Sequence, residues 1–148
     1  YTNSPTDSCA SIVPGFREDS ISYMSRHCLM FTEKELQIIF ESKKISLIKI
    51  DVEGAELDVF QGLYELIKRD RPCLIVEILP VYSEANETRM LRQQSIEKIL
   101  ADLNYKKYRI LKDKKGNLLD LDEVSDIGIH TNLEWCDYMF SPMRTKTD

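Results

Sequence analysis

The chain has 148 residues, enough for one domain with its own core and too few to argue for two. Its 20 basic and 25 acidic residues leave a formal charge of −5, which favours solubility and gives no general attraction to nucleic acid or an anionic membrane. No apolar run approaches the ~20 residues that span a bilayer and Tyr1 to Asp7 holds no apolar signal core, so neither a membrane nor nucleic acid is an expected partner.

The cysteines at 9, 28, 73 and 136 form neither a CxxC pair nor a zinc spacing. Cys73 lies inside an apolar strand and reads as a small buried hydrophobe, so a reducing, cytoplasmic setting is the simplest expectation. Residues 1–20, polar with Pro5, Pro14 and Gly15, read as a loop or poorly ordered lead-in; 21–142 read as the folded part and 143–148 as a tail.

Thr32 and Glu35 are spaced as a capping box ahead of Leu36, Ile38, Ile39 and Phe40, which predicts a short helix. Ile45 to Val52 is apolar except for Lys49 and predicts a strand covered on both faces, as in a parallel sheet. A lysine in such a strand needs a partner, and a nearby carboxylate is the plain one. Leu57, Phe60, Leu63, Tyr64 and Ile67 fall on one face, which predicts one amphipathic helix over Ala55 to Arg69.

Pro72 restarts the chain, and Cys73 to Leu79 reads as a second buried strand that closes on Glu77 and Pro80, completing a βαβ unit. Ile96, Ile99, Leu100 and Leu103 mark a further helix, with Asn104 as its left-handed stop. Tyr105 to Leu111 and Leu118 to Leu121 flank Lys115-Gly116-Asn117 and predict a hairpin, and Cys136 to Phe140 reads as the last strand. The fold class is α/β, with parallel units followed by an antiparallel hairpin.

The chemistry concentrates where the strand ending in Asp51 and Glu53 hands over to a helix at Gly54. In open parallel sheets ligands bind at the carboxyl ends of strands. Strand alternation would put Asp51 and Glu53 on one side with Val52 opposite, and Gly54 permits a tight turn and close backbone approach. Glu56 and Asp58 sit in the first turn of the helix, where the dipole favours negative charge. Glu77 either lines the same crevice or caps the next loop.

Asp51, Glu53 and Glu77 are also hard oxygen donors of the kind Mg²⁺ accepts, though their spacing alone makes no metal site. His27 and His130 would serve as bases only if the fold carried them to the acidic turn; surface or packing roles are the plainer reading. Lys106, Lys107, Arg109, Lys112, Lys114 and Lys115 read either as a contact for an anionic partner or, more simply, as the solvated face of an edge hairpin. Trp135 reads as a core or subunit contact.

The run Lys49-Ile50-Asp51-Val52-Glu53-Gly54-Ala55-Glu56, followed by an apolar helix ending in Gln61-Gly62, resembles the hallmark of the FkbM family of S-adenosylmethionine-dependent methyltransferases. The similarity continues through Arg71-Pro72-Cys73-Leu74-Ile75-Val76-Glu77 and into Cys136 to Pro142. The resemblance implies a Rossmann-like methyltransferase sheet, mostly parallel with a C-terminal antiparallel hairpin, and S-adenosylmethionine as cofactor. It further implies O-methylation of a small-molecule or glycan hydroxyl. Asp51 and Glu53 would be catalytic and, with Gly54, cofactor-binding; Glu77 would border the substrate.

The family's Glu-x-Gly-Ala-x-x-Gly cofactor loop does not occur in these 148 residues, so the chain is expected to be the C-terminal half of the domain, lacking the N-terminal cofactor-binding strands. Two rivals stand beside the enzyme. One is a non-catalytic remnant or protein-interaction module that forms a homo-oligomer through the apolar strand left at an edge. The other is a metal- or phosphate-responsive domain that uses the acidic turn without a methyl donor.

Overall fold

The computed structural model describes residues 29–143 together with Ile12. The lead-in expected over 1–20, apart from Ile12, lies outside the described residues, as do 21–28 with His27 and Cys28, and the tail beyond Met143.

Helix α1 (Glu33–Ile39) begins on the capping box: Glu35 N donates to Thr32 Oγ1 at 3.4 Å, and Thr32 N donates to Glu35 Oε2 at 2.7 Å. Strand β1 (Leu47–Ile50) is followed by α2 (Glu56–Gly62), α3 (Tyr64–Asp70) and β2 (Cys73–Glu77). The single helix expected over 55–69 is therefore two, interrupted at Leu63 with φ −113° and ψ 12°. The break follows Gly62, a poor helix former that gains no side-chain packing to offset its backbone entropy.

Beyond β2, α4 (Glu87–Asp102) starts under the Asn86 side chain, and Asn104 ends it at φ 58°, the left-handed stop expected there. Strands β3 (Tyr105–Lys112) and β4 (Leu118–Glu123) form the expected hairpin, with Gly116 at φ 82° in its turn. A short 3-10 turn (Leu133–Trp135) leads into β5 (Asp137–Pro142).

The five strands form one mixed sheet in the order β1-β2-β5-β3-β4. Only β1 and β2 pair in parallel; β2 with β5, β5 with β3, and β3 with β4 are antiparallel. The sheet is thus mostly antiparallel, which corrects the expectation of a mostly parallel one. The reason lies in β5: it enters between β2 and β3 and runs against both. There its alternate residues Tyr138 and Phe140, both fully buried, carry their rings beneath the helices at the sheet centre.

Helices cover one face of this sheet. Ile50, Leu74, Val76, Tyr138 and Phe140 meet Phe60, Ile67, Ile96, Leu100 and Leu103 in a single core. The Phe140 ring stacks on Tyr138 at 6.1 Å and takes the Phe60 edge at 6.4 Å. On the other face Lys49, Ile75, Met139 and Tyr108 stand in one cross-strand row, and none of them is buried. The expectation that β1 is covered on both faces is therefore not met: it is an edge strand, and the Lys49 side chain is 65% exposed.

Arg71 ties the helix-covered layer to the far strands. It takes φ 53° at the end of α3, an unfavourable backbone state for a side-chain-bearing residue. Its guanidinium donates to the carbonyls of Leu103, Asn104 and Met143 and stacks 5.2 Å from the Tyr105 ring. Tyr105, itself buried, donates its hydroxyl to the Pro72 carbonyl at 2.8 Å, and burial pushes its pKa up to about 12. No helix among the described residues is long and apolar enough to cross a membrane.

Tyr105→Phe removes this buried hydrogen bond and strands the Pro72 carbonyl, a loss of roughly 1–2 kcal/mol. Urea unfolding should show a lower midpoint with an unchanged slope, whereas Tyr108→Phe on the bare face should leave the midpoint in place.

Candidate functional site

Strand β1 stops at Ile50, and the chain turns through Glu53 at φ 49° and Gly54 at φ 96° before α2 begins. Two successive residues with positive φ reverse the backbone sharply, and Gly54 holds the more extreme value because it has no Cβ. Glu56 locks the turn from below: its Oε1, in a buried side chain, accepts from Gly54 N at 2.8 Å. Burial pushes the Glu56 carboxyl above the usual range, with the Gly54 N–H working against that shift. Glu56 is therefore a clamp on the turn, a more specific role than complementing the helix dipole. Asp58 bridges α2 to α4 through Arg92 at 2.6 Å.

The parallel register sets Ile50 beside Val76, so the next residues, Asp51 and Glu77, stand side by side at the strand ends, close enough for their carboxyl groups to act on each other. Glu77 in turn is paired with Asp137 on β5. Three carboxylates thus form a row across three adjacent strands on the bare face. A lysine closes each end: Lys49 Nζ lies 2.6 Å from Asp51 Oδ2, and Lys112 binds Asp137.

The two members of the central pair are pushed in opposite directions. The Lys49 hydrogen bond and charge hold the Asp51 carboxyl below the usual aspartate range. Burial, then the charge of Asp51, then that of Asp137, push the Glu77 carboxyl above the usual glutamate range. Asp51 is the fixed anion of the pair, and Glu77 is the member that takes up a proton first. Carboxylates driven apart in this way mark candidate acid and base assignments.

Two sequence-based expectations change here. Alternation was to pair Asp51 with Glu53, but the strand ends before Glu53, whose positive φ breaks the extended geometry. Asp51 finds its partner on the neighbouring strand instead, and the Glu53 charge still acts on both Glu77 and Glu56. His130 is placed away from the acidic row: it lies 3.2 Å from the Tyr138 hydroxyl, on the helix-covered side, with its pKa lowered by burial and by Arg109.

Of the six hairpin bases, Lys106, Lys112, Lys114 and Lys115 are exposed, while Lys107 and Arg109 are half-buried. Lys106 pairs with Glu123 and Lys107 with Glu97, each at 2.9 Å. Arg109 lies 4.8 Å from the Trp135 ring and 5.7 Å from Tyr138, and donates to the Ile127 carbonyl. Asp137 went unnoticed in the sequence, and Lys112 reads there only as part of the basic hairpin cluster, because no local pattern reports that β5 inserts beside β2. Among the described residues no three of His, Cys, Asp and Glu are arranged to hold a metal ion, since the carboxylates form a line and do not surround a point.

A parallel β1–β2 pair joined by helices within a mixed five-stranded sheet, with an acidic pair at its strand ends and a glycine turn beside them, defines an α/β protein. The family model for the methyltransferase FkbM domain matches residues 18–110, and the chain belongs to that family. The matched span holds Asp51, Glu53, Gly54 and Glu77, while Asp137 on β5 lies beyond it. No curated protein and no solved structure matches the chain.

Because ionisation of Glu77 is disfavoured in the fold, its contribution to stability is fully present below the ordinary glutamate range and is lost as pH rises through its raised folded value. Glu77→Gln cannot ionise. Its denaturation midpoint should match that of the parent protein in acid and exceed it at neutral pH; an equal or lower midpoint at neutral pH would show that the carboxylate is not strained.

Proposed function

We propose that this chain serves an S-adenosylmethionine-dependent methyltransferase that acts on a hydroxyl of a small molecule or glycan, with Glu77 as proton acceptor and Asp51 as the fixed negative charge beside it. The observation that carries the reading is the Asp51–Glu77 contact at adjoining parallel strand ends, within a family of methyltransferases. The β1–α2–α3–β2 unit is read as part of a Rossmann-like methyltransferase sheet, and residues 21–142 as part of one such domain.

The residues suit the cofactor in charge. S-adenosylmethionine carries a sulfonium and an ammonium group, and an aspartate kept ionised by Lys49 at a strand end, with Glu53 and Gly54 in the adjoining turn, offers complementary charge and close backbone approach. When bound, it would supply the methyl group. The chain's own part is to orient the acceptor and remove its proton. A carboxylate whose ionised form is disfavoured binds a proton more tightly than a free glutamate, so Glu77 is the stronger base of the pair. Asp51, beside it at the adjoining strand end, raises its proton affinity further.

A second reading, a protein-interaction module of the same fold, draws support from the exposed apolar residues Leu29, Met30, Phe31, Ile38 and Ile39 at α1 and Leu47 on the β1 edge. In that reading the chain forms a homo-oligomer through β1.

Calorimetric titration of S-adenosylmethionine into the folded chain should give saturable binding that weakens at least tenfold in Asp51→Asn. A folded sample that binds none while sedimenting as a dimer would favour the interaction module. Where methyl transfer from labelled cofactor to a panel of hydroxyl acceptors is measured, Glu77→Gln should lower it roughly 10²–10⁴-fold, the usual worth of a general base, and leave cofactor binding intact. Near-normal turnover would remove Glu77 from the chemistry.

A further inference from the structure

Two strands that lie far apart in sequence, β2 and β5, meet at Glu77. Ile78 N donates to the Cys136 carbonyl at 2.8 Å, so Ile78 and Cys136 form a hydrogen-bonded pair. The pair before it, Glu77 with Asp137, therefore takes the non-hydrogen-bonded position, where facing side chains of an antiparallel pair stand closest. Like charges placed opposite one another in a sheet are destabilising. Strand β3 offsets that cost: the β3–β4 pairing shifts register between Leu111 and Lys112, and Lys112 reaches the Asp137 carboxylate. An irregularity of this kind re-aims a side chain. The turn that follows is braced by Asp113, whose carboxylate accepts from Lys115 N and Asn117 N, each at 2.8 Å.

Among the described residues, Glu77 is faced by Asp51 and Glu53 from the end of β1 and its turn, and by Asp137 from β5. Each lysine engages a neighbour of Glu77: Lys49 is held by Asp51 and Lys112 by Asp137. The Cys136 thiol, pushed up to about 11 by burial and then by the Glu77 charge, stays neutral. Asp51 already has its part as the fixed charge. Asp137 and Lys112, both beyond the matched residues 18–110, have none.

We propose that Asp137 and Lys112 are positioning residues for the base at Glu77: Asp137 supplies a facing negative charge, and Lys112, acting through Asp137, sets how much of that charge Glu77 feels. A base works best when it takes a proton firmly yet is free of one at the working pH. Asp137 strengthens the base, and Lys112 keeps enough of it ionised. The catalytic consequence rests on the reading of Glu77 as proton acceptor; the electrostatic relay itself requires no methyl transfer.

The test is carbon-13 NMR titration of the Glu77 carboxyl in folded, full-chain variants. Asp137→Asn, which keeps the shape and removes the charge, should move its midpoint down by about one pH unit, and Lys112→Met should move it up by about half a pH unit. In the double variant the effect of Lys112→Met should vanish, because the lysine has no Asp137 to act on, and Lys112→Arg should keep the parent value. Lys106→Met, which breaks the Lys106–Glu123 pair on the same hairpin, should leave the Glu77 titration in place and so separates charge from hairpin stability. An unmoved Glu77 in Asp137→Asn, or a Lys112→Met effect that survives in the double variant, would overturn the proposal. The pH–rate profile of methyl transfer in the same variants should follow the Glu77 titration. A titration that moves while the profile stays fixed would sustain the relay and defeat Glu77 as the base, so the two fail separately.

Discussion

The parallel pairing of β1 with β2 is the constraint on which the site depends. Leu47 faces Cys73 and Ile50 faces Val76, and that register alone brings Asp51 beside Glu77 where both strands end. A one-residue slip of β1 against β2 would turn Ile50 out of the core and split the carboxylates between the two faces. The core therefore fixes the chemistry: burying Ile50, Leu74 and Val76 beneath α2, α3 and α4 is what aligns two acids that would otherwise avoid each other.

That alignment costs stability, and the surroundings divide the cost unequally. Lys49 sits at one end of the row and keeps Asp51 charged, while Glu77, flanked by Asp51 and Asp137, is the acid whose charge is least welcome. A single lysine on each side, Lys49 and Lys112, leaves the middle position without a cation of its own among the described residues. Proton affinity is thereby concentrated at Glu77. The turn beyond Asp51 is held by a different device, the buried Glu56 carboxyl on the Gly54 amide, so the loop that would meet a ligand is rigid on its helix side.

Much of the frame is legible in the residues. The capping box at Thr32, the left-handed stop at Asn104 and the glycine turn at Gly116 depend on neighbours a few positions away, and each stands where the sequence puts it. What depends on distant pairing is not legible. Nothing local tells that β5 enters between β2 and β3, so the mostly antiparallel sheet and the place of Asp137 in the acidic row follow only from the assembled structure. The same holds for Lys49, which reads as buried because its neighbours are apolar yet lies open because one face of β1 is bare. The acidic turn itself was visible from Asp51, Glu53, Gly54 and Glu77, but the pairing within it was not: alternation joined Asp51 to Glu53, and the end of the strand joins it to Glu77.

The central claim is that the Asp51 and Glu77 carboxyls act on each other at the strand ends, with Asp51 pushed below its ordinary range and Glu77 above it. Carbon-13 NMR of the side-chain carboxyls across a pH titration tests it most directly. The account predicts that Glu77 titrates above an ordinary glutamate, Asp51 below an ordinary aspartate, and that each resonance senses the other's step. Two independent titrations at ordinary values would contradict it, and with it the assignment of Glu77 as the base.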